Sequence, residues 1–543
     1  MNAVLERLRS TDLASRAGVG ASALGAGQFE GVRMVATGGP LEDVFHRAVR
    51  QLVEHCIRSL DGSPPVLLEG GVYVGTWIES TASINAEVLS RFLPTVARDT
   101  FLLLAERVRA DGLLPYKVTD AGPSYRQIQI VTPLARCVWN HYALHGGDDR
   151  FLRTMYDAMA RNDAWLAAHR DTRGTGCVEA FCAFDTGHDL SPRFWHVPDT
   201  TYGEDPARYE PDSPILPFVA PDLTANVACQ RQYLAQIAGE LGENPAPWRA
   251  RAARSTKALF AHCYDESDGM FYDVDVNGAW VRVQSDVLLR VLACEIGDDE
   301  FFASGLRRYL LNTRKFFAQF PFTSIALDDP RFSQDFSRNS WAGPSNFLSL
   351  IRAPHAFEHH GHHVELSWAL MPVLAAVCQM TRFPQTLNPW TGEQGFTEQY
   401  SPSILWTIDA VERLAGILPR PDGELWCTAL LPYGVHHEPV ADAVGYARLI
   451  DSSTYEFVHD RAQAIVYRDG EEHARFPHGW RLVLDRAGQI RAVVGMSART
   501  VAGSLVTGGY TVGLAVAGNE RVEIDGRGQA VGRTPVPLVH PST

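Results

Sequence analysis

The feature that most constrains the fold of this chain is a change in hydrophobic periodicity near residue 420. From residue 41 to residue 415, apolar side chains recur every three or four residues, as on one face of an α-helix. No alternation of strand-like and helix-like stretches accompanies this spacing, so a parallel sheet is not expected. This part of the chain is therefore predicted to be mostly α-helical. The clearest apolar sets are Val44, Ala48, Leu52 and Cys56; Leu152, Met155, Met159 and Leu166; Leu234, Ile237, Ala238 and Leu241; and Ile404, Ile408, Val411 and Ala415.

Beyond residues 418–423, short runs rich in apolar and β-branched residues alternate with turn residues such as Asp469-Gly470. This spacing is typical of antiparallel hairpins. We therefore expect a small C-terminal β-sandwich over residues 421–543, either a structural support or, alternatively, an accessory carbohydrate module. The helical domain is expected over residues 41–420. It follows a Gly-, Ala- and Ser-rich lead-in of residues 1–40, which we expect to be extended or poorly ordered.

Composition and motif content exclude several function classes. With 49 Lys and Arg against 63 Asp and Glu, the formal charge is −14, which argues against a nucleic-acid partner. Nine scattered cysteines without a C-x-x-C pair indicate a reducing compartment. Because no apolar leader or membrane-length run is present, we expect a cytoplasmic protein without a membrane partner. No phosphate-binding loop, G-x-S-x-G elbow or dinucleotide fingerprint occurs, so no cofactor is expected. The sequence leaves a homo-oligomer open.

Residues 185–195 combine two carboxylates, a histidine, an arginine and two aromatic side chains in eleven positions. Gly187 and Pro192 prevent a regular helix or strand here, and turn residues of this kind fix the backbone of a loop. Ordered loops on a rigid scaffold often carry catalytic groups. The alternative is an exposed turn without function.

The order Asp-Thr-Gly-His-Asp-Leu-Ser-Pro-Arg-Phe in this loop resembles the S-G-x-D-N-S-P-R-F loop of the mannosylglycerate hydrolase and processing α-glucosidase group of glycoside hydrolases. The resemblance implies an (α/α)6 toroid of the trehalase and glucoamylase type, with Asp189 as the general acid. Burial beside Phe194 and Trp195 is expected to raise the pKa of Asp189. Trp195 is expected to contact substrate. Arg193 is expected to orient Asp189 or to bind an acidic substrate group, or else to form a structural ion pair.

Other segments resemble the same group in the same order along the chain. Residues 75–80 stand where the family shows W-D-S, residues 112–133 resemble its G-x-I-P and S-x-x-T-Q-P-P segments, and residues 339–346 resemble Y-W-R-G-P-V-W-x-N. Residues 264–273 match a family segment whose role is a structural turn. The alternatives are a loop surface for the two glutamines and core packing for the last tryptophan. The substrate contacts that the resemblance implies are Trp77, Glu79, Tyr116, Gln127, Gln129 and Trp341.

The chain departs from the family at the second catalytic carboxylate. The family motif E-N-Y-x-P-x-T-G corresponds to residues 385–392, where Gln385 replaces the glutamate. Glutamine cannot accept a proton from water as a base, although it can still contact substrate. Three explanations stand: Glu398 or Glu393 takes over, the alignment is slipped, or the enzyme has lost ordinary hydrolysis. We favour Glu398, because Glu398-Gln399-Tyr400-Ser401-Pro402 repeats the E-x-Y-x-P pattern.

Five histidines lie between residues 355 and 363. They lack the H-E-x-x-H spacing of a zinc site, and a histidine-rich tract is only a compositional hint, so no metal is expected. We expect instead a loop that lines the sugar site, with His359 among the substrate contacts.

These observations predict an inverting glycoside hydrolase for a small glycoside or oligosaccharide. Asp189 donates a proton to the leaving oxygen while Glu398 or Glu393 activates water, which requires carboxyl groups about 6.5–9.5 Å apart. Two alternatives remain. One is a sugar epimerase or lyase on the same fold that uses the histidines at 355–363. The other is a catalytically silent sugar-binding relative.

Overall fold

The computed structural model describes residues 1–20 and 28–543. The α-helices in these ranges are α1 (Asn2–Ser10), α2 (Leu13–Ala17), α3 (Leu41–His55), α4 (Ala86–Leu89), α5 (Pro94–Ala105), α6 (Leu134–His145), α7 (Asp149–His169), α8 (Pro221–Glu240), α9 (Ala246–Cys263), α10 (Val287–Leu292), α11 (Asp299–Gly305), α12 (Phe347–His359), α13 (His363–Gln379) and α14 (Ser401–Ala415).

Short strands lie between the helices: β2 (Ile57–Ser59), β3 (Pro65–Leu67), β4 (Thr76–Trp77), β5 (Lys117–Thr119), β6 (Gly122–Ser124), β7 (Glu179–Ala180), β8 (Phe218–Val219), β9 (Tyr264–Asp265), β10 (Met270–Phe271), β11 (Asp273–Val274), β12 (Trp280–Val281), β13 (Ser345–Asn346) and β14 (Thr386–Leu387). Longer strands are β1 (Arg33–Thr37) near the N-terminus and, after the helices, β15 (Ile417–Pro419), β16 (Glu424–Thr428), β17 (Ala443–Ile450), β18 (Ser453–Asp460), β19 (Gln463–Arg468), β20 (Glu471–Pro477), β21 (Trp480–Asp485), β22 (Ile490–Gly495), β23 (Val501–Thr507), β24 (Thr511–Val516), β25 (Arg521–Ile524) and β26 (Ala530–Thr534).

The predicted apolar sets lie on α3, α7, α8 and α14, which confirms the helical character of this region. In α3, Val44, Ala48 and Leu52 are buried, and Cys56 caps the end of the helix. These side chains belong to one continuous apolar core, in which α3 packs on α14 and α8 packs on α9. Burial of a valine or leucine side chain such as Val44 or Leu52 stabilises the fold by about 1.5–3 kcal/mol relative to exposure.

Helices α12 and α14 lie against each other and run in the same direction. Helix α12 begins beside Gln385, whose carbonyl accepts the backbone N–H of Phe347 at 2.9 Å. Helix α14 begins beside Glu69, whose carbonyl accepts the backbone N–H of Ser401 at 2.8 Å. At the opposite end, Arg413 of α14 is paired with Glu358 of α12. The segments around residues 69 and 385 therefore lie at the N-terminal end of both helices.

The predicted C-terminal strands are also confirmed, and they form two antiparallel sheets. Within the described residues, one sheet has the order β1-β17-β18-β19-β20-β23-β24 and the other β15-β16-β21-β22-β25-β26. Both contribute to the main core, for example through Phe457 and Leu482. The Tyr446 hydroxyl donates a hydrogen bond of 2.9 Å to Glu412 of α14, which ties the sheets to the helices.

The N-terminal segment differs from its prediction. Residues 1–20 contain α1 and α2, and β1 pairs antiparallel with β17, Arg33 opposite Ala447. Leu8 of α1 and Val35 of β1 are buried together with Val458 of β18. The expectation of an extended or poorly ordered lead-in is therefore wrong for residues 1–20 and 28–40, because their apolar side chains cover the C-terminal sheet. The lead-in's residues 21–27 lie outside the described part of the chain.

Two further features bear on the sequence predictions. All nine cysteines are buried free thiols. In the described ranges, no α-helix combines the length and the apolar character needed to cross a membrane.

Candidate active site

A cavity of about 270 Å³ lies at the N-terminal end of α12 and α14. It contains seven of the residues that the sequence predicted for the site: Trp77, Glu79, Tyr116, Gln127, Gln129, Asp189 and Gln385. The other lining residues, which the sequence analysis had not proposed as site residues, are Glu69, Tyr73, Lys117, Arg126, Phe184, Gly187, Thr200, Asn339 and Tyr400. The cavity volume is just below the range of about 300–1,000 Å³ typical of small-molecule sites, a size that suits one sugar ring.

Asp189 is held by both its backbone and its side chain. The loop turns at Gly187, whose φ is +65°, and the Asp189 carbonyl accepts the backbone N–H of Trp341 at 3.0 Å. The side-chain amide of Asn339 donates to Asp189 Oδ2. The predicted segment around residues 339–346 therefore supports the acid, although the residue that bonds its carboxylate is Asn339 and not Trp341.

Arg193 anchors the loop of residues 185–195 through buried ion pairs. Its guanidinium is 1% exposed and donates to Asp273 at 2.8 and 2.7 Å and to Asp222 at 3.0 and 3.0 Å. With these bonds its donors are directed away from the cavity. The prediction that Arg193 contacts substrate is therefore wrong, and the alternative, a structural ion pair, is what forms.

His188 and Trp341 form a packed layer under Asp189. Their ring centroids are 4.6 Å apart, and the Arg290 guanidinium lies 4.8 Å from the Trp341 ring. Burial, followed by the charge of Arg290, lowers the pKa of His188 to about 3, so its ring is neutral. Trp341 is 1% exposed, so its predicted sugar contact gives way to core packing. His188 could not be singled out from the sequence, because a lone histidine carries no spacing signal.

The Asp189 carboxyl group is poised to hold a proton near neutral pH. Burial raises the pKa of Asp189 to about 7, and the charge of Asp199 adds to this effect. The hydrogen bond from Asn339 and the charge of Arg290 oppose it. A carboxyl group that keeps its proton at this pH can act as a general acid.

Glu79 places a second carboxyl group in the cavity wall. The side-chain amide of Gln129 donates to Glu79 Oε2 at 2.6 Å. Glu79 Oε1 is buried without a hydrogen-bond partner among residues 1–20 and 28–543. Burial and the nearby Glu69 raise the pKa of Glu79 to about 8, with Asp189 adding to the increase and Arg290 opposing it.

Gln385 occupies the cavity wall as the family motif predicted. The Tyr73 hydroxyl donates to Gln385 Oε1 at 2.7 Å. The Gln385 backbone N–H donates to the carbonyl of Phe396 at 2.9 Å. This pairing fixes the register of residues 385–396. The Gln385 amide therefore lies in the cavity, at the motif position where the resemblance implies a glutamate.

The carboxylates that were expected to replace that glutamate lie elsewhere. Glu393 is exposed and lines a separate cavity with Phe320 and Trp390. Glu398 is also exposed and is not among the described residues that line the Asp189 cavity. The Gln385 side chain lies in the cavity, whereas Glu393 and Glu398, on either side of Phe396, are exposed. The structure does not bring Glu393 or Glu398 to Asp189.

Aromatic side chains form one wall of the cavity. The Trp77 ring centroid is 5.6 Å from that of Tyr116 and 6.1 Å from that of Tyr73. The Lys117 ammonium lies 4.6 Å from the Trp77 ring, and Arg126 donates to the Tyr116 hydroxyl at 3.2 Å. Aromatic faces pack against the apolar face of a sugar ring, while hydroxyl and amide groups bond its rim. Trp195, by contrast, is 52% exposed and lies outside this wall, so its predicted contact is wrong.

The histidine segment is not a loop of the sugar site. It covers the end of α12 and the start of α13, and His359 is exposed beside a different cavity, of about 400 Å³. Because α12 has 13 residues, His359 lies about 20 Å from the beginning of the helix. The predicted substrate contact of His359 is therefore wrong. The other imidazoles have separate partners: His355 with Glu87, His360 with Asp299, His362 with Glu365 and His363 with Arg481.

Residues 74–403 match the family model of the mannosylglycerate hydrolase MGH1-like glycoside hydrolase domain, which covers more than half of the chain. The chain belongs to this family. It is a glycosidase, as the motifs predicted, and the residues that line the cavity fall within the matched range except for Glu69 and Tyr73. A search of curated proteins found no match.

Solved structures share the fold of this MGH1-like family member. The GH63 mannosylglycerate hydrolase from Thermus thermophilus in complex with Tris is 18% identical, with a TM-score of 0.57 over 67% of this chain and 99% of its own. Neutral trehalase Nth1 from Saccharomyces cerevisiae is 13% identical, with a TM-score of 0.50 over 68% of this chain and 80% of its own. At this identity the likeness concerns the fold alone.

Proposed function

We propose that this glycosidase is an inverting glycoside hydrolase for a small glycoside or oligosaccharide. The observation that carries the proposal is Asp189, a protonatable carboxyl group held in a cavity the size of one sugar ring. The fold shared with the GH63 hydrolase and the trehalase supports an (α/α)6 toroid for residues 41–420. The two C-terminal sheets support a β-sandwich for residues 421–543. Strand β1 extends one of these sheets, and α1 packs on it.

In this mechanism Asp189 gives its proton to the glycosidic oxygen as the bond to the anomeric carbon breaks. Water attacks the same carbon from the opposite face, which inverts its configuration. General acid catalysis of this kind contributes a rate factor of about 10²–10⁴. Asn339 and the Trp341 backbone hold the acid in one position, so the proton is delivered to a fixed point in the cavity.

The rest of the cavity supports a small substrate. Trp77 and Tyr116 offer an aromatic face to the ring, while Gln127 and Gln129 offer amides to its hydroxyl groups. The limited volume favours a terminal sugar residue over an internal residue of a polymer. Buried free thiols are compatible with the cytoplasmic location that the sequence predicts.

Gln385 favours a second candidate function, a sugar-binding relative without turnover. An amide in place of the family carboxylate would bind sugar hydroxyls and leave water unactivated. The epimerase alternative has less support, because the histidines on which it depends lie at the other end of α12.

A panel of aryl α- and β-glycosides and disaccharides, followed by NMR, tests the proposal. The expected result is release of one sugar as the anomer opposite to that of the substrate. Asp189→Asn should reduce turnover of disaccharides and phenyl glycosides by about 10²–10⁴-fold. Release of the retained anomer would contradict inversion. Saturable binding in the panel without any product would support the silent relative.

A further inference from the structure

We infer that Glu79, and not a carboxylate beyond Gln385, is the base that takes the proton from the attacking water. The inference rests on the proposed hydrolase function and assigns the catalytic group that the Gln385 substitution leaves open. It departs from the resemblance, which implies a role for Glu79 in binding sugar hydroxyls.

The carboxyl groups of the cavity wall leave few alternatives. Among the described lining residues they belong to Glu69, Glu79 and Asp189. Glu69 accepts hydrogen bonds at Oε2 from Ser80 Oγ at 2.6 Å and from the Thr81 hydroxyl, so it serves the local backbone turn. Asp189 is occupied as the acid. Glu79 is the carboxyl group that remains for the base.

One carboxylate oxygen of Glu79 accepts a hydrogen bond, and the other accepts none from the described residues. Gln129 holds Oε2, and the Thr132 hydroxyl donates to the Glu79 backbone carbonyl at 2.9 Å. These contacts fix the side chain from two sides. Oε1 has no hydrogen-bond partner in the described ranges and lies buried at the cavity wall, as an acceptor still unsatisfied.

Two buried arginines partly oppose the rise in the pKa of Glu79. The charges of Arg290 and Arg352 both lower the pKa of Glu79 against the effect of burial. Arg352 is 2% exposed, and its three guanidinium nitrogens have no hydrogen-bond partner in residues 1–20 and 28–543. A buried guanidinium without a direct partner gains from a nearby negative charge. Asp286 provides the larger such charge, and Glu79 provides a second one when it loses its proton.

Gln385 completes the arrangement as a group that orients water. Its Oε1 accepts the Tyr73 hydroxyl, so its NH₂ group is the part free to donate to the oxygen of a water molecule. In the reaction, the water oxygen bonds to the anomeric carbon and its proton passes to the Glu79 carboxylate. The glycosidic electron pair stays on the leaving oxygen, which takes the proton of Asp189. Both carboxyl groups then exchange protons with solvent.

The test compares Glu79→Gln with the matched exposed variants Glu393→Gln and Glu398→Gln, all on phenyl and 2,4-dinitrophenyl glycosides. For Glu79→Gln we expect kcat to fall by about 10²–10⁴-fold on both substrates, because a better leaving group does not replace the base. The residual rate of Glu79→Gln should no longer rise with pH on the acidic side of the pH profile. The two exposed variants should keep their activity within twofold.

Two outcomes would overturn the inference. One is a higher KM with unchanged kcat in Glu79→Gln, which would make Glu79 a binding residue. The other is a rate that still rises with pH on the acidic side of the profile (the acidic limb) in Glu79→Gln. If Glu79→Gln does not fold, Glu79→Asp replaces it and should retain the acidic limb at reduced kcat. On phenyl glycosides, an impaired Asp189→Asn beside a fully active Glu79→Gln would reject only this inference. A fully active Asp189→Asn on the same phenyl glycosides would reject the proposed hydrolase mechanism itself.

Discussion

The carboxylate of Glu79 rests directly against Gly187, two residues before Asp189. A methyl group at position 187 would come within 2.2 Å of Glu79 Oε1, and the φ of +65° there also disfavours any side chain. The absence of a side chain at this glycine therefore sets how closely the loop of the acid approaches Glu79.

Gly187→Ala should reduce kcat by about 10²-fold or more, because displacement of either carboxyl group by about 1 Å costs that much. Gly203→Ala is the matched control, since Gly203 has a φ of +61° and open space around its Cβ position. Both variants should lose similar stability in urea unfolding from backbone strain. Equal activity in the two variants would contradict the role of close contact at Gly187.

The pH dependence of kcat/KM should be a narrow bell between about 7 and about 8 in the free enzyme. Asp189 must be protonated, and burial raises its pKa to about 7, so its active fraction falls as pH rises through that value. Glu79 must be ionised, and its pKa is raised to about 8, so its active fraction grows as pH approaches that value. Initial rates on an aryl glycoside from pH 5 to 10 measure both limbs. A flat profile above about pH 8.5 would contradict the assignment of the acid.

Asp189→Asn should lose about 10²–10⁴-fold in kcat on phenyl glycosides and much less on 2,4-dinitrophenyl glycosides, since an acidic phenol leaves without a proton. The two substrates give the comparison within one variant. An equal loss on both would show that Asp189 is not the proton donor to the leaving group.

Arg193→Lys should lower the free energy of unfolding by about 3–5 kcal/mol, because lysine cannot make the paired bonds to Asp222 and Asp273 that a buried guanidinium makes. The matched control is Arg282→Lys. The Arg282 side chain, paired with Asp265, is 57% exposed, so this substitution should cost much less stability. Urea unfolding measures both. A small loss at Arg193 would mean that the loop is held by other contacts.

His359→Ala should leave turnover within twofold of the unmodified enzyme, because this imidazole is exposed at the far end of α12 from Asp189. The same glycoside panel measures it, with His436→Ala as a control at another cavity. Loss of activity in His359→Ala alone would return the epimerase alternative to consideration.

Local patterns in the sequence determined the helices, the later hairpins and seven cavity residues. These features depend on spacing along the chain: apolar side chains every three or four residues, turn pairs such as Asp469-Gly470, and loop motifs read in order. Asp189 and Gln385 belong to this group, because the motif that contains each of them fixes its place within a few residues.

Only the tertiary structure decided which carboxyl group shares the cavity with Asp189. Glu398 carries the better motif but is exposed, whereas Glu79 carries the weaker motif and lies inside. Likewise, Arg193 forms buried ion pairs, and β1 joins a sheet whose next strand, β17, begins only at Ala443. Such outcomes depend on contacts between segments that are far apart in the chain. The residue spacing around either partner does not show which distant segment it will contact.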